Sequence, residues 1–161
     1  MWYREQSNQY INDGMQFVID GMTYPAQWLN QATPEQKAEL GLVEVTYIGN
    51  RKSDKYYWVG ELWDKGTVTY TNTPKDLADV KKNCVNEINA TAYSLLLPTD
   101  WMAVRSIEAS IPVPTEWANW RDDVRQVAAS AKTSIEMCND VEAVEGVMAN
   151  VTWPVSPNNE V

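Results

Sequence analysis

The chain has 161 residues, with 22 acidic against 13 basic side chains, a formal net charge of −9 and no histidine. That length suits one domain, or one compact domain with a smaller appendage. Phosphate contacts need clustered Lys and Arg, and the only adjacent basic pairs are Arg51–Lys52 and Lys81–Lys82, which argues against nucleic acid and anionic membrane as direct partners.

Residues 1–14 are polar and aromatic, end at Asp13-Gly14, and read as an arm without structure of its own. Met15 to Ile19 predict a strand, Asp20-Gly21 a tight turn and Met22 to Tyr24 a return strand. Thr33-Pro34-Glu35-Gln36 opens a short helix: Thr33 caps it, Pro34 takes the first helical position, and Gln36 stands three after the cap. Gly41 ends that helix. Three β-branched and aromatic runs follow, Leu42 to Ile48, Tyr56 to Trp63 and Thr67 to Thr71, predicting a three-stranded antiparallel meander.

Thr73-Pro74 opens a long helix with apolar residues at Leu77, Val80, Cys84, Ile88, Ala92 and Leu95. Pro98 stops it, and one flank of so long a helix is expected to pack on a second chain. Thr99-Asp100-Trp101 begins a shorter helical segment through Glu108, and Ile111-Pro112-Val113-Pro114 is an extended connector. Thr115 caps a further helix running to about Met137, with Trp117, Trp120, Val124, Val127 and Ala131 on one face. A break at Asn139-Asp140 precedes a last helix, Val141 to Ala149, and a polar end beyond Pro157 is expected to fray. The fold class is therefore α+β: a small antiparallel meander, a long helix and a C-terminal helical region. The division falls between a β-rich part, 1–73, and a helical part, 74–161.

Chemistry is sparse. Without histidine there is no Ser-His-Asp or Cys-His arrangement and no H-E-x-x-H metal site. Neither G-x-x-x-x-G-K-[ST] nor G-x-G-x-x-G occurs. Cys84 and Cys138 make neither a disulfide framework nor a metal-ligand spacing, and whether they pair stays open. The start lacks the basic end and apolar run of a secretory signal. Among Glu44, Glu61 and Asp64 a glycan-cleaving pair is conceivable, but the solvated polar faces of a half-buried sheet are the preferred account. Tyr56, Trp58 and Tyr70 could make a sugar platform, with core packing as the plainer account. No enzyme, cofactor or metal is expected.

The eight Trp and eight Tyr stand against one Phe, a composition suited to half-buried and contact positions. Several of these rings lie in Leu96-Leu97-Pro98-Thr99-Asp100-Trp101, in Glu116-Trp117-Ala118-Asn119-Trp120-Arg121-Asp122-Asp123-Val124-Arg125, and in Asn150-Val151-Thr152-Trp153-Pro154. In that order the segments resemble the bacteriophage tail fibre assembly chaperone family, with its "TDW" segment, aromatic-Arg and apolar-Arg helix and late "WP". Tyr24 to Leu29 and Thr33 to Leu42 also resemble N-terminal segments of such phage proteins. In the family a short link joins the Arg helix to the final Trp-Pro, whereas here residues 128–149 add helical sequence, and the central aromatic strands have no counterpart.

The resemblance implies a protein that binds a phage tail fibre protein, acting in the host cytoplasm during assembly or retained in the virion tail. It implies Trp101, Trp117, Trp120, Arg121, Arg125 and Trp153 as partner-binding residues. Arg121 and Arg125 are one helical turn apart and could clamp a partner; intrachain pairing with Asp100 or Asp122 is an equal alternative. A permanent tail or baseplate protein is the first competitor and a carbohydrate-binding module the second. Neither nucleic acid nor membrane is expected as partner; a homo-oligomer is compatible.

Overall fold

The computed structural model describes residues 1–157; the polar end beyond Pro157, expected to fray, lies outside them. The chain divides into two compact units, Met1–Thr73 and Pro74–Val161, and each follows from its own local chemistry. The whole is α+β, with small sheets in the first unit and helices in the second.

The first unit begins with a hairpin, not an arm. β1 (Trp2–Arg4) pairs antiparallel with β2 (Gln9–Ile11), joined by a 3-10 turn, Glu5–Ser7, that closes at Asn8 in the left-handed region (φ 49°). The other side of β1 pairs antiparallel with β5 (Leu42–Glu44). The polar composition of residues 1–14 hides the hairpin, and the third strand that covers β1 lies some 40 residues on. Burial of Tyr3 and Ile11 fixes the register.

β3 (Phe17–Ile19) and β4 (Met22–Tyr24) form the expected hairpin. Asp20 and Gly21 both have positive φ, 50° and 80°, the geometry that matches the twist of the flanking strands. A single turn, α1 (Trp28–Gln31), then precedes α2 (Pro34–Glu39), whose capping box is complete: Gln36 N donates to Thr33 Oγ1, and Thr33 N to Gln36 Oε1. Ile11, Phe17, Ile19, Leu29 and Leu42 close one core, edged by Trp2, Tyr24, Trp28 and Leu40.

Arg4 is a buried cation in this unit. Its Nε donates to Leu40 O at 3.0 Å, and its guanidinium reaches both Asp20 oxygens and Gln6 Oε1. It thereby ties β1 to the β3–β4 turn and to the end of α2.

The run 42–48 is not one strand. At Val45 the chain leaves the first sheet, with Val45 N donating to Met1 O and Thr46 N to Gly66 O. It then continues as β6 (Thr46–Ile48) in another sheet, of order β6-β8-β7. β7 (Tyr57–Asp64) and β8 (Thr67–Pro74) are joined through Lys65 and Gly66, both at positive φ. β6 pairs parallel with β8, not with β7 as a meander requires. The strand directions are those of a meander; the order is not. Val68, fully buried, packs with Tyr3 and Val45 in a second core, which holds the start of β8 beside β6.

The second unit is helical. α3 (Leu77–Leu96) is capped by Asp76, whose side chain accepts from Asp79 N, so the helix starts later than Thr73-Pro74 suggests. A 3-10 turn, Leu97–Thr99, carries the chain around Pro98 into α4 (Asp100–Glu108). α5 (Thr115–Met137) follows the extended 111–114 connector, with Pro114 at the cap position and Thr115 already inside the helix. α6 (Val141–Ala149) starts at the expected break, capped by Asp140.

α3 packs against α5 and α6. Lys81 Nζ donates to Glu136 O, Lys132 Nζ to Asn89 Oδ1, and Arg121 to Leu96 O, so α3 and α5 run antiparallel. Between them lie Val80, Cys84, Ile88 and Ala92 from α3, and Val124, Ala128, Ala131 and Ile135 from α5. Each fully buried Val or Ile here stabilises by about 1.5–3 kcal/mol relative to exposure. Cys84 is buried, Cys138 is half-buried, and no disulfide joins them. Among the described residues no helix is long and apolar enough to cross a membrane.

Candidate functional site

The motif residues of the second unit meet one another. Arg121, 8% exposed, is the junction. Its Nη2 donates to Asp100 Oδ1 at 2.7 Å, while Nη1 donates to Leu96 O at 3.0 Å and to Thr99 Oγ1. The Thr99 hydroxyl donates in turn to Leu96 O. One planar fork thus satisfies the turn where α3 ends and α4 begins, a place where Pro98 disrupts the ordinary helical ladder. One residue along α5, the Trp120 indole donates to Pro154 O at 3.1 Å, and Trp117 meets Trp120 edge to face at 5.6 Å. Trp120 is buried; Trp117 and Trp153 are half-buried.

Of the six residues expected to bind a partner, the structure therefore engages Trp120 and Arg121 within the chain. Arg125 pairs with Asp122 at 2.9 Å on an exposed face. Arg121 and Arg125 do not converge on a shared acceptor; each takes the intrachain carboxylate named as its alternative. Trp101 differs: it is 53% exposed, and the Arg105 guanidinium lies over its ring at 5.9 Å.

Trp101 belongs to a stripe that the sequence reading passed over. Tyr93, Leu97, Trp101, Val104 and Ile107 are all exposed, at spacings of four, four, three and three along α3, the 3-10 turn and α4. Within α4 the spacing of Trp101, Val104 and Ile107 is that of one helical face; Tyr93, on α3, and Leu97, in the 3-10 turn, precede it. α4 buries no residue, and its Met102, Ala103 and Ser106 are half-buried while Trp101, Val104 and Ile107 face outward. Ile107 is 82% exposed. The signal was present in the spacing, but Pro98 read as a stop divides the stripe between two helices.

A groove of about 800 Å³ runs between α5, α6 and the chain beyond α6, with Ser130, Ser134, Ala143, Gly146 and Asn150 among its lining residues. It contains no charged side chain. Among the described residues no three or more His, Cys, Asp or Glu side chains gather where they could hold a metal. In the first unit Glu44, Glu61 and Asp64 are exposed strand residues. Tyr56 and Tyr57 are buried and Tyr70 stacks on Tyr47, so of Tyr56, Trp58 and Tyr70 only Trp58 is exposed. No protein-family model, curated protein or solved structure matches this chain.

Proposed function

We propose that this chain is a bacteriophage tail fibre assembly chaperone or fibre-associated protein, which works by covering an apolar surface of a fibre protein. The observation that carries the reading is the exposed stripe from Tyr93 to Ile107. So many exposed large apolar side chains in one short stretch, three of them on one face of α4, are what a binding surface shows. The ordered TDW, WR and WP segments support the same reading from the sequence side. Their contacts within the fold give them a role in it: Thr99, Asp100 and Arg121 fix the turn from which Trp101 projects. Trp and Arg at such a surface, here Trp101 beneath Arg105, are the side chains that carry most of the energy in protein contacts. A trimeric fibre exposes apolar surface and strand edges until it assembles, and a covering protein holds it out of aggregation meanwhile.

Co-expression of a candidate fibre protein with the wild-type chain, with Trp101→Ala/Ile107→Asp, and alone tests this. Soluble trimeric fibre is expected with the wild type and is expected to fall to the level of fibre alone with the double variant. Equal solubility and trimer yield in all three would overturn the reading.

A permanent tail or baseplate protein is the second reading. It is favoured by the β-rich first unit, which has cores of its own and is not needed to build the stripe. Mass spectrometry of purified particles separates the two, since a departing chaperone leaves no fixed stoichiometry behind.

A further inference from the structure

We infer that, before a fibre partner arrives, the stripe from Tyr93 to Ile107 is occupied by the same stripe of a second copy, paired antiparallel about a two-fold axis near Trp101. This rests on reading the stripe as a docking face.

The first argument is area. With Tyr93 64%, Trp101 53% and Ile107 82% exposed, and Leu97 and Val104 half exposed, the five side chains bare roughly 600–700 Å². A stable interface of standard size takes about 800 Å² per partner, so the stripe and its immediate flanks match one half of a dimer.

The second argument is spacing. The positions 93, 97, 101, 104 and 107 are nearly symmetric about residue 100. Reversal therefore sets Tyr93 against Ile107 and Leu97 against Val104, and brings the two Trp101 rings together at the centre. That self-complementarity is what a two-fold contact requires.

The third argument is charge. Residues 88–99 carry no charged side chain, and the charges of α4 are Asp100, held by Arg121, then Arg105 and Glu108. An antiparallel pair lays Arg105 and Glu108 of each copy against the uncharged half of the other. A parallel pair would set Arg105 on Arg105 and Glu108 on Glu108, whereas the antiparallel pair brings together only the two Asp100 carboxylates, each held by its own Arg121. Like charges facing each other disfavour the parallel arrangement. The net charge of −9 on each copy opposes association at long range, and salt screens it over about 8–10 Å. Raising salt is thus expected to tighten the dimer.

Sedimentation of the full chain across a hundredfold concentration range, at low and at moderate NaCl, is the experiment. A monomer–dimer equilibrium that strengthens with salt is expected, and Ile107→Asp is expected to weaken it at least tenfold. Circular dichroism checks that the variant retains its helix content, and Val104→Asp serves as a second variant should it not. Trp101→Cys, in a background with Cys138→Ser, is expected to cross-link to a dimer under mild oxidation, because only the antiparallel arrangement brings residue 101 to its own copy while separating 93 from 93. Tyr93→Cys in that background is expected not to cross-link. A chain that stays monomeric throughout, or a dimer indifferent to Ile107→Asp and Val104→Asp, overturns the inference. If such a monomer still solubilises fibre through the stripe, the functional reading survives alone. If a stripe-dependent dimer forms and fibre solubility never depends on the stripe, the functional reading fails and the dimer stands.

Discussion

Asp100, the first residue of α4, and Arg121, in the second turn of α5, meet at 2.7 Å with side-chain exposures of 50% and 10%. The pair is lopsided: the cation is removed from water and the carboxylate is not. The stabilisation therefore resides mainly in the hydrogen bonds around the guanidinium, and less in the attraction between charges. Arg121→Lys keeps the charge but loses the fork that serves Leu96 O, Thr99 and Asp100 together. It is expected to destabilise by about 2 kcal/mol, whereas Asp100→Asn is expected to cost about 1 kcal/mol. Urea midpoints of the two variants and of their combination check this, with a combined loss smaller than the sum because the residues share one network.

Trp120→Phe removes the indole donor to Pro154 O and keeps most of the buried ring. The expected cost is about 1 kcal/mol. The expected local effect is earlier protease cleavage around residues 151–157, read by mass spectrometry of the first fragments. A cleavage pattern identical to the wild type would show that the indole bond does not hold the segment.

Arg4→Met tests the first unit. The aliphatic stem is replaced by one of similar length, and Leu40 O loses its donor. Asp20, whose side chain is 74% exposed, is resolvated at little cost. A loss of about 1–2 kcal/mol is expected, measured as a lower melting temperature of the unfolding step that reports on the first unit.

Two glycines separate backbone strain from crowding. Gly14 has φ +74° and nothing within 4 Å of an added Cβ, while Gly66 has φ +81° and Tyr3 Cδ1 only 2.9 Å away. Gly14→Ala is expected to cost about 1 kcal/mol from the left-handed backbone alone. Gly66→Ala is expected to cost about 2–4 kcal/mol, because Tyr3 is buried in the second core and has no room to retreat. Chemical denaturation of both variants gives the comparison directly.

The elements legible in the sequence are those whose causes lie within a few residues. Thr33, Pro34 and Gln36 mark α2 because a capping box is complete in four residues. Asp20-Gly21 marks the β3–β4 turn by its need for positive φ, and the bounds of α6 follow from the Asp140 cap. Residues 1–14 do not announce their hairpin, because polar side chains interrupt both strands and the third strand against β1, Leu42–Glu44, is remote. Sheet order failed for the same reason: nothing local in Leu42 to Ile48 announces that Val45 turns from one sheet to another.

At the site, the residue types were legible and their assignments were not. Trp-Arg beside Thr-Asp-Trp reads equally as a surface clamp or an internal staple, and only the packing of α5 on the α3–α4 turn decides for Arg121. Periodicity found the inner stripe of α3 through Val80, Cys84, Ile88 and Ala92. It did not find the outer stripe, because apolar spacing alone does not say which side faces the protein.

The parallel pairing of β6 with β8 has a consequence for synthesis on the ribosome. The sheet β2-β1-β5 has all its strands once residue 44 has emerged, and Thr46–Ile48 follows immediately. Its neighbour does not exist until Thr67–Thr69 has been made and the β7–β8 hairpin has turned back. For some twenty residues of elongation Tyr47 and Ile48 wait as an uncovered edge, joined by Tyr57–Asp64 once that is made, and a nascent chain stalled in that window exposes strands whose shared neighbour is still missing.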